Sequence, residues 1–233
     1  MRIDGVNLPV IEIMCNRGNY GGSRPLSEIR YIVIHYTANK WDSAQSNLNY
    51  FKNNVVKASA NYFVDSKQIG ISVPDGYYAW HCGGGLQGNG GHKWFGKVSN
   101  WNSIGIEICD DVNDGRVQPT QKALENAQML TAALMEKYHI PIENVIRHWD
   151  VTGKICPAYF VGDENTETGK AWIRWKEGIE VVEKSRMIVN GKEVPVERIL
   201  KNGTNYVKIR DVAAALDLKV GFKGSIATLD SNK

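Results

Sequence analysis

No stretch of this chain approaches the roughly 20 apolar residues that a membrane span needs, which argues against membrane insertion. Met1 to Met14 lacks the basic start, apolar middle and small-residue cleavage site of a secretory signal, so the chain is expected to stay in the cytoplasm unless something else releases it. Paired cysteines are missing too: the four, at positions 15, 82, 109 and 156, show no CxxC spacing and read as reduced thiols. There is no Lys/Arg block or basic stripe, and the formal net charge is only +3, which speaks against a dedicated nucleic-acid binder. No internal repeat stands out beyond two Asn-Gly turns in the C-terminal part, at 190–191 and 202–203. What is there, at 233 residues, suffices for one good core and a small appendage.

Hydrophobic patterning supplies the elements. Residues 1 to 28 are Gly- and Asn-rich after a brief apolar start and read as a wrapping segment rather than a core element. Tyr31 to Tyr36 is apolar on both faces and β-branched, as expected of a strand covered on both sides, with His35 at its C-terminal end. Asp42 or Ser43 can cap a helix running to about Asn53, and Asn61–Asp65 with Gln68–Val73 reads as a hairpin. Residues 74 to 102 are rich in Gly, His and aromatics without periodicity, which suggests a long functional loop. Ile104, Ile106 and Ile108 alternate with Gly105, Glu107 and Cys109, so those two sets occupy opposite faces of a strand. Thr120 opens a helix to about Tyr138, and a second helix is expected from about Ala171 to Lys184, with Trp172, Trp175, Ile179 and Val182 on one face. Beyond it, Asn190-Gly191 marks a hairpin between two apolar runs. The expected fold class is α/β: a central mixed β-sheet flanked by helices over residues 1–182, then a small C-terminal β-rich α+β module over 183–233.

The chemistry centres on residues 145 to 157. His148 and Cys156 stand eight positions apart at the end of a short apolar run, and an imidazole with a soft thiolate is a zinc-type ligand pair. A catalytic site needs a third protein ligand and an open fourth position, and His35 is the candidate. Lys154, two residues before Cys156, can face the same cavity and stabilise an oxyanion, while Glu107 can move the proton of an attacking water. Each has a plainer reading: a hydrogen-bonded structural histidine, an inert buried thiol, a solvated edge carboxylate, a surface lysine.

Five segments, Tyr31 to Ala38, Asn61 to Asp65, Ala79 to Gly83, Asn102 to Glu107 and Arg147 to Pro157, together resemble the type 2 N-acetylmuramoyl-L-alanine amidases in sequence and order. That superfamily includes phage lysozyme-amidases and peptidoglycan recognition proteins. The resemblance implies a zinc hydrolase, bound through His35, His148 and Cys156, that cuts the amide between N-acetylmuramic acid and L-alanine in bacterial peptidoglycan and lyses the cell. Glu107 and Lys154 would be catalytic, and His81, Asn61 and Trp80 would contact substrate. Residues 206 to 216 and the following Val-Gly-Phe are similar to stalk-type modules of clostridial surface proteins, which points to a clostridial phage or prophage endolysin whose tail binds the wall or self-associates. Such a protein would wait in the host cytoplasm and act on the wall after release. Two rivals stand beside it: a peptidoglycan-binding protein that does not cut, and a structural zinc site closed by His81.

Overall fold

The computed structural model describes residues 3–111, 115, 117–179, 183–201, 204–224 and 226–231, and the chain divides into two units, Met1–Ile179 and Glu180–Lys233. In chain order the first unit has β1 (Val10–Glu12), β2 (Tyr20–Ser23), β3 (Tyr31–Tyr36), α1 (Ala44–Asn53), β4 (Tyr62–Val64), β5 (Ile69–Ile71), β6 (Tyr77–Ala79), β7 (Ser103–Ile108), α2 (Gln121–Tyr138), β8 (Val145–Arg147), α3 (His148–Thr152) and α4 (Glu167–Glu177). Six strands form one mixed sheet in the order β1-β5-β4-β7-β3-β8, in which only the β4–β5 hairpin is antiparallel. This is the α/β architecture expected.

The isoleucine alternation of β7 works as the period of a strand requires. Ile104, Ile106 and Ile108 are fully buried, each contributing about 1.5–3 kcal/mol of burial, and α2 packs on β4 and β7. The opposite face carries Phe63, which meets Ala44 and Leu48 of α1. Helices α1 and α2 start where a hydroxyl caps them: Ser43 accepts from the Ser46 N–H, and Thr120 from the Ala123 N–H.

Three expectations are corrected. Residues 1–28 are not only a wrapping segment: β1 adds a parallel edge to the main sheet beside β5, and β2 pairs with β6, which interrupts the expected loop of residues 74–102. The helix expected over 171–184 is α4, shifted toward the N-terminus, because Thr166 caps it by accepting from the Gly169 N–H and Gly178 ends it. Trp172 and Trp175 keep their buried places, whereas Ile179 follows the helix and Val182 lies outside the described residues. Among the described residues no helix is long and apolar enough to cross a membrane.

The second unit holds β9 (Glu183–Val189), β10 (Lys192–Lys201), β11 (Thr204–Val207), α5 (Ile209–Ala215), β12 (Leu218–Lys223) and β13 (Ile226–Ser231). Strands β9 to β11 form an antiparallel sheet, and β12 with β13 a separate hairpin. Asn190 and Gly191 both have positive φ, 49° and 77°, as the tight turn between β9 and β10 demands. The second Asn-Gly pair, at 202–203, lies outside the described residues.

Candidate active site

Strand register does much of the assembly. His35 of β3 stands directly beside Glu107 of β7, so neighbouring parallel strands present both side chains on one face near their C-terminal ends. β8 pairs on the other side of β3 and delivers His148, which begins α3 rather than ending a strand. Arg147 fixes that start: its guanidinium meets Asp150 at 2.7 Å, donates to the Phe160 and Gly162 carbonyls and lies over the Trp149 and Trp172 rings. The Trp149 N–H donates to the Cys156 carbonyl at 2.9 Å, folding the loop back so that the thiol returns to the histidines. The glycine-rich loop closes over this turn through Gln87, His92 and Trp94, whose N–H groups donate to Thr152, Trp149 and Asp150 carbonyls.

One ligand atom each from His35, His148 and Cys156 falls within 4.8 Å of the others, and all three residues are buried. Tetrahedral zinc holds N and S ligands roughly 3.3–3.8 Å apart, so small side-chain rotations would complete the grip. His35 Nδ1 lies 3.6 Å from Cys156 Sγ. Neither ring nitrogen of His148 makes a well-aligned hydrogen bond, although the Gly83 backbone lies close enough to favour its charged form. A buried imidazole whose nitrogens are so weakly held by protein fits the role of a metal ligand. Among the described residues no fourth His, Cys, Asp or Glu joins the group. His81, the candidate to close it, is turned away: its Nδ1 faces His35 Nε2 at 3.0 Å and its Nε2 faces Ser103 Oγ at 3.2 Å.

Burial sets the electrostatics. It pushes His35 well below its ordinary range, helped by His148, His81 and Lys154, and lowers His148 to about 4 with Lys154 assisting. Both rings are therefore neutral at pH 7, the state that donates a lone pair. Burial, with the Glu107 charge, raises the Cys156 thiol to about 12. Glu107 is raised to about 8, by burial first and then by Asp110 and Asp42, against the pull of Lys154. Its Oε2 is out of solvent reach and without a hydrogen bond, while the residue as a whole keeps partial exposure. Lys154 is exposed, and its charge is felt by His35, His148, Glu107 and Cys156, so its ammonium lies near enough to act on all four.

The three expected substrate contacts fare differently. Trp80 is half-buried and held by backbone bonds to Ser59, leaving part of its side chain open. Asn61 is fully buried: Nδ2 donates to the Val73 carbonyl and Oδ1 accepts from the Gly105 N–H, so it stitches the sheet instead of facing the cleft. His81 is buried with both nitrogens engaged by protein. Sequence reasoning also missed Asp110 and Tyr159. Asp110 is fully buried and raised to about 7, chiefly by burial and Asp42, and the Tyr159 hydroxyl is buried with no partner. Asp110 helps to raise both Glu107 and Cys156, and burial, followed by the charges of Asp110, Cys156 and Glu107, raises the Tyr159 hydroxyl in turn; no spacing in the sequence announces this coupling.

Residues 25–159 match the family model described as N-acetylmuramoyl-L-alanine amidase. The chain is 30% identical over 213 residues to the amidase CwlL of Bacillus licheniformis, covering 86% of this chain but 58% of that relative, so it spans little more than half of that protein's length. The catalytic domain of XlyA superposes with a TM-score of 0.57 at 30% identity, over 74% of this chain and 99% of that one. A mutant endolysin from Bacillus subtilis gives 0.55 at 32%, again over 74% and 99%. The family match covers more than half of the 233 residues and contains His35, His148 and Cys156, and by it this chain belongs to the N-acetylmuramoyl-L-alanine amidase family.

Proposed function

We propose that this chain is a zinc-dependent hydrolase of the amide bond between N-acetylmuramic acid and the L-alanine of the peptidoglycan stem, acting as a lytic enzyme on the bacterial wall. The observation that carries the reading is the convergence of His35, His148 and Cys156 beside a carboxylate held at the edge of protonation. His35 and His148 as neutral imidazoles and Cys156 as a thiolate would hold the metal, with the thiol proton released on binding. Bound there, zinc supplies Lewis acidity, making water acidic enough to ionise near neutral pH and polarising the scissile carbonyl.

Glu107 takes the proton from the attacking water as its oxygen bonds to the carbonyl carbon. The same carboxyl then returns that proton to the nitrogen as the C–N bond breaks, and the second proton of the water passes from the new lactyl carboxyl to the freed amine, leaving a lactyl carboxylate and an alanine ammonium group. Burial favours the protonated form of Glu107 needed in the second half of this cycle, and the ammonium of Lys154 favours the charged form needed for the first. Lys154 also faces the oxyanion that develops on the carbonyl. The relatives' names support the substrate, and one neighbour's description as an endolysin supports a lytic role.

Purified peptidoglycan treated with the chain should release alanine amino groups without new reducing ends, and chelation should stop it until zinc is returned. Tight binding to the wall with no new amines would favour the rival, a recognition protein on the same fold.

The second unit supports self-association with another copy of the chain. Among its described residues only Val196 and Ala213 are buried apolar side chains, whereas Ile188, Tyr206, Phe222, Ile226 and Leu229 are exposed. A unit with so small a core, ending in a lone two-stranded hairpin, gains stability by covering those side chains. Sedimentation of the full chain should show a dimer that Phe222→Glu with Ile226→Glu dissociates, and a monomer at every concentration would refute this.

A further inference from the structure

We infer that His81 is a positioning residue for His35, part of a hydrogen-bond chain that begins at a backbone carbonyl and dictates which nitrogen of His35 is free to bind metal. The inference rests on the metal-site reading above.

A neutral imidazole has one N–H donor and one lone-pair acceptor, and a hydroxyl has a single proton to give. Ser103 Oγ lies 2.6 Å from the Ser99 carbonyl oxygen, which can only accept, so the serine proton is committed there. Toward His81 Nε2, 3.2 Å away, Ser103 then offers only a lone pair, and Nε2 must carry the hydrogen. Cys82 Sγ, 3.7 Å from Ser103 Oγ and 3.4 Å from Asn100 Oδ1, can donate to either without reversing this direction. His81 Nδ1 is therefore the acceptor, and it stands 3.0 Å from His35 Nε2, which must be the donor. His35 Nδ1 is left with its lone pair on the side of Cys156 Sγ, 3.6 Å away, in the three-residue group.

Two further features hold His81 in this role. The His81 and Cys82 N–H groups both donate to Asn100 Oδ1, at 3.0 and 2.9 Å, which pins the backbone behind the ring. The ring itself lies on Gly105 of β7: a Cβ at that position would sit 2.6 Å from His81 Cγ, so any larger residue would push the imidazole off His35. The strand position two before Glu107 is thus small for a reason that belongs to the site.

Partners of this kind on ligand histidines are typically worth 10–100-fold in metal affinity. His81→Leu keeps the bulk but leaves His35 Nε2 without an acceptor. His81→Gln can restore both bonds, accepting through Oε1 and donating through Nε2. In chelator competition on the full chain, His81→Leu and Gly105→Ala should each bind zinc about 10–100-fold more weakly than the unmodified chain, and His81→Gln should recover its affinity. Nitrogen-15 NMR of the histidines without zinc should find His35 protonated on Nε2 in the unmodified chain and in His81→Gln, and a mixture of tautomers in His81→Leu.

Unchanged zinc affinity in His81→Leu, or His35 protonated on Nδ1 in the unmodified chain, would overturn the inference. Failure of the unmodified chain to bind zinc would instead sink the metal-site reading, while the NMR still decides the direction of the chain. Should His81→Leu fail to fold, the tautomer of the unmodified chain and the affinities of His81→Gln and Gly105→Ala carry the test.

Discussion

Replacing Glu107 by glutamine tests the site through stability and rate at once. In the metal-free chain burial raises this carboxyl from 4.5 to about 8. Below pH 4.5 it is protonated whether the chain is folded or not, and it contributes no pH dependence. Between 4.5 and 8 the folded chain keeps a proton that the unfolded chain releases, so stability falls as pH rises through that window and levels off above it. At about 1.4 kcal/mol per unit, a fully sealed carboxylate would cost ~5 kcal/mol above pH 8. Glu107 keeps partial exposure and only Oε2 is shut off from water, so solvent screening reduces this to ~2–3 kcal/mol. Glutamine has no charge to bury. Calorimetry of chelator-treated protein should therefore show Glu107→Gln melting together with the unmodified chain at pH 4 and roughly 4–10 °C higher at pH 9. With zinc restored, the variant should cleave peptidoglycan ~10²–10⁴-fold more slowly while retaining the metal. Equal melting at both pH values would refute the desolvation argument, and unimpaired cleavage would remove Glu107 from the chemistry.

Three further outcomes follow from named contacts. Cys156→Ser replaces the soft ligand by a hydroxyl, so the variant should lose zinc to a chelator that leaves the unmodified chain loaded, as read by atomic absorption; equal retention would refute its ligand role. Lys154→Met should lower kcat by ~10²–10³ with zinc content unchanged, and an unaltered kcat would leave the developing oxyanion without this partner. Asp75 is buried and accepts from the Tyr62 and Tyr138 hydroxyls and Lys137, so Asp75→Ala should cost ~2–4 kcal/mol in thermal melting, and a loss below ~1 kcal/mol would contradict the accounting of stranded donors.

Much of the first unit was legible because its signals are local. Hydroxyl caps at Ser43 and Thr120 and the alternation of Ile104, Ile106 and Ile108 mark α1, α2 and β7 within a few residues of themselves. Strands β1, β2 and β6 were not legible, being three or four residues long and made strands by partners far along the chain, Val10 with Ile69 and Tyr20 with Ala79. The end of α4 escaped for a related reason: periodicity in the sequence runs on past Trp175, but Gly178 stops the helix.

The site divides along the same line. Asn61 and His81 look like cleft residues in a string of letters, since a polar side chain beside an aromatic run carries no mark of where it points. In the folded chain Asn61 bonds to residues 12 and 44 positions away, and His81 to residues 22 and 46 away. The sequence by itself determined which side chains could bind a metal or move a proton, because donor type and acidity belong to the residue. Only the tertiary structure decided that His35 joins Cys156 across 121 positions, and which of its nitrogens faces that group. Hydrogen-bond direction is settled by partners, and the fold alone brings those partners together.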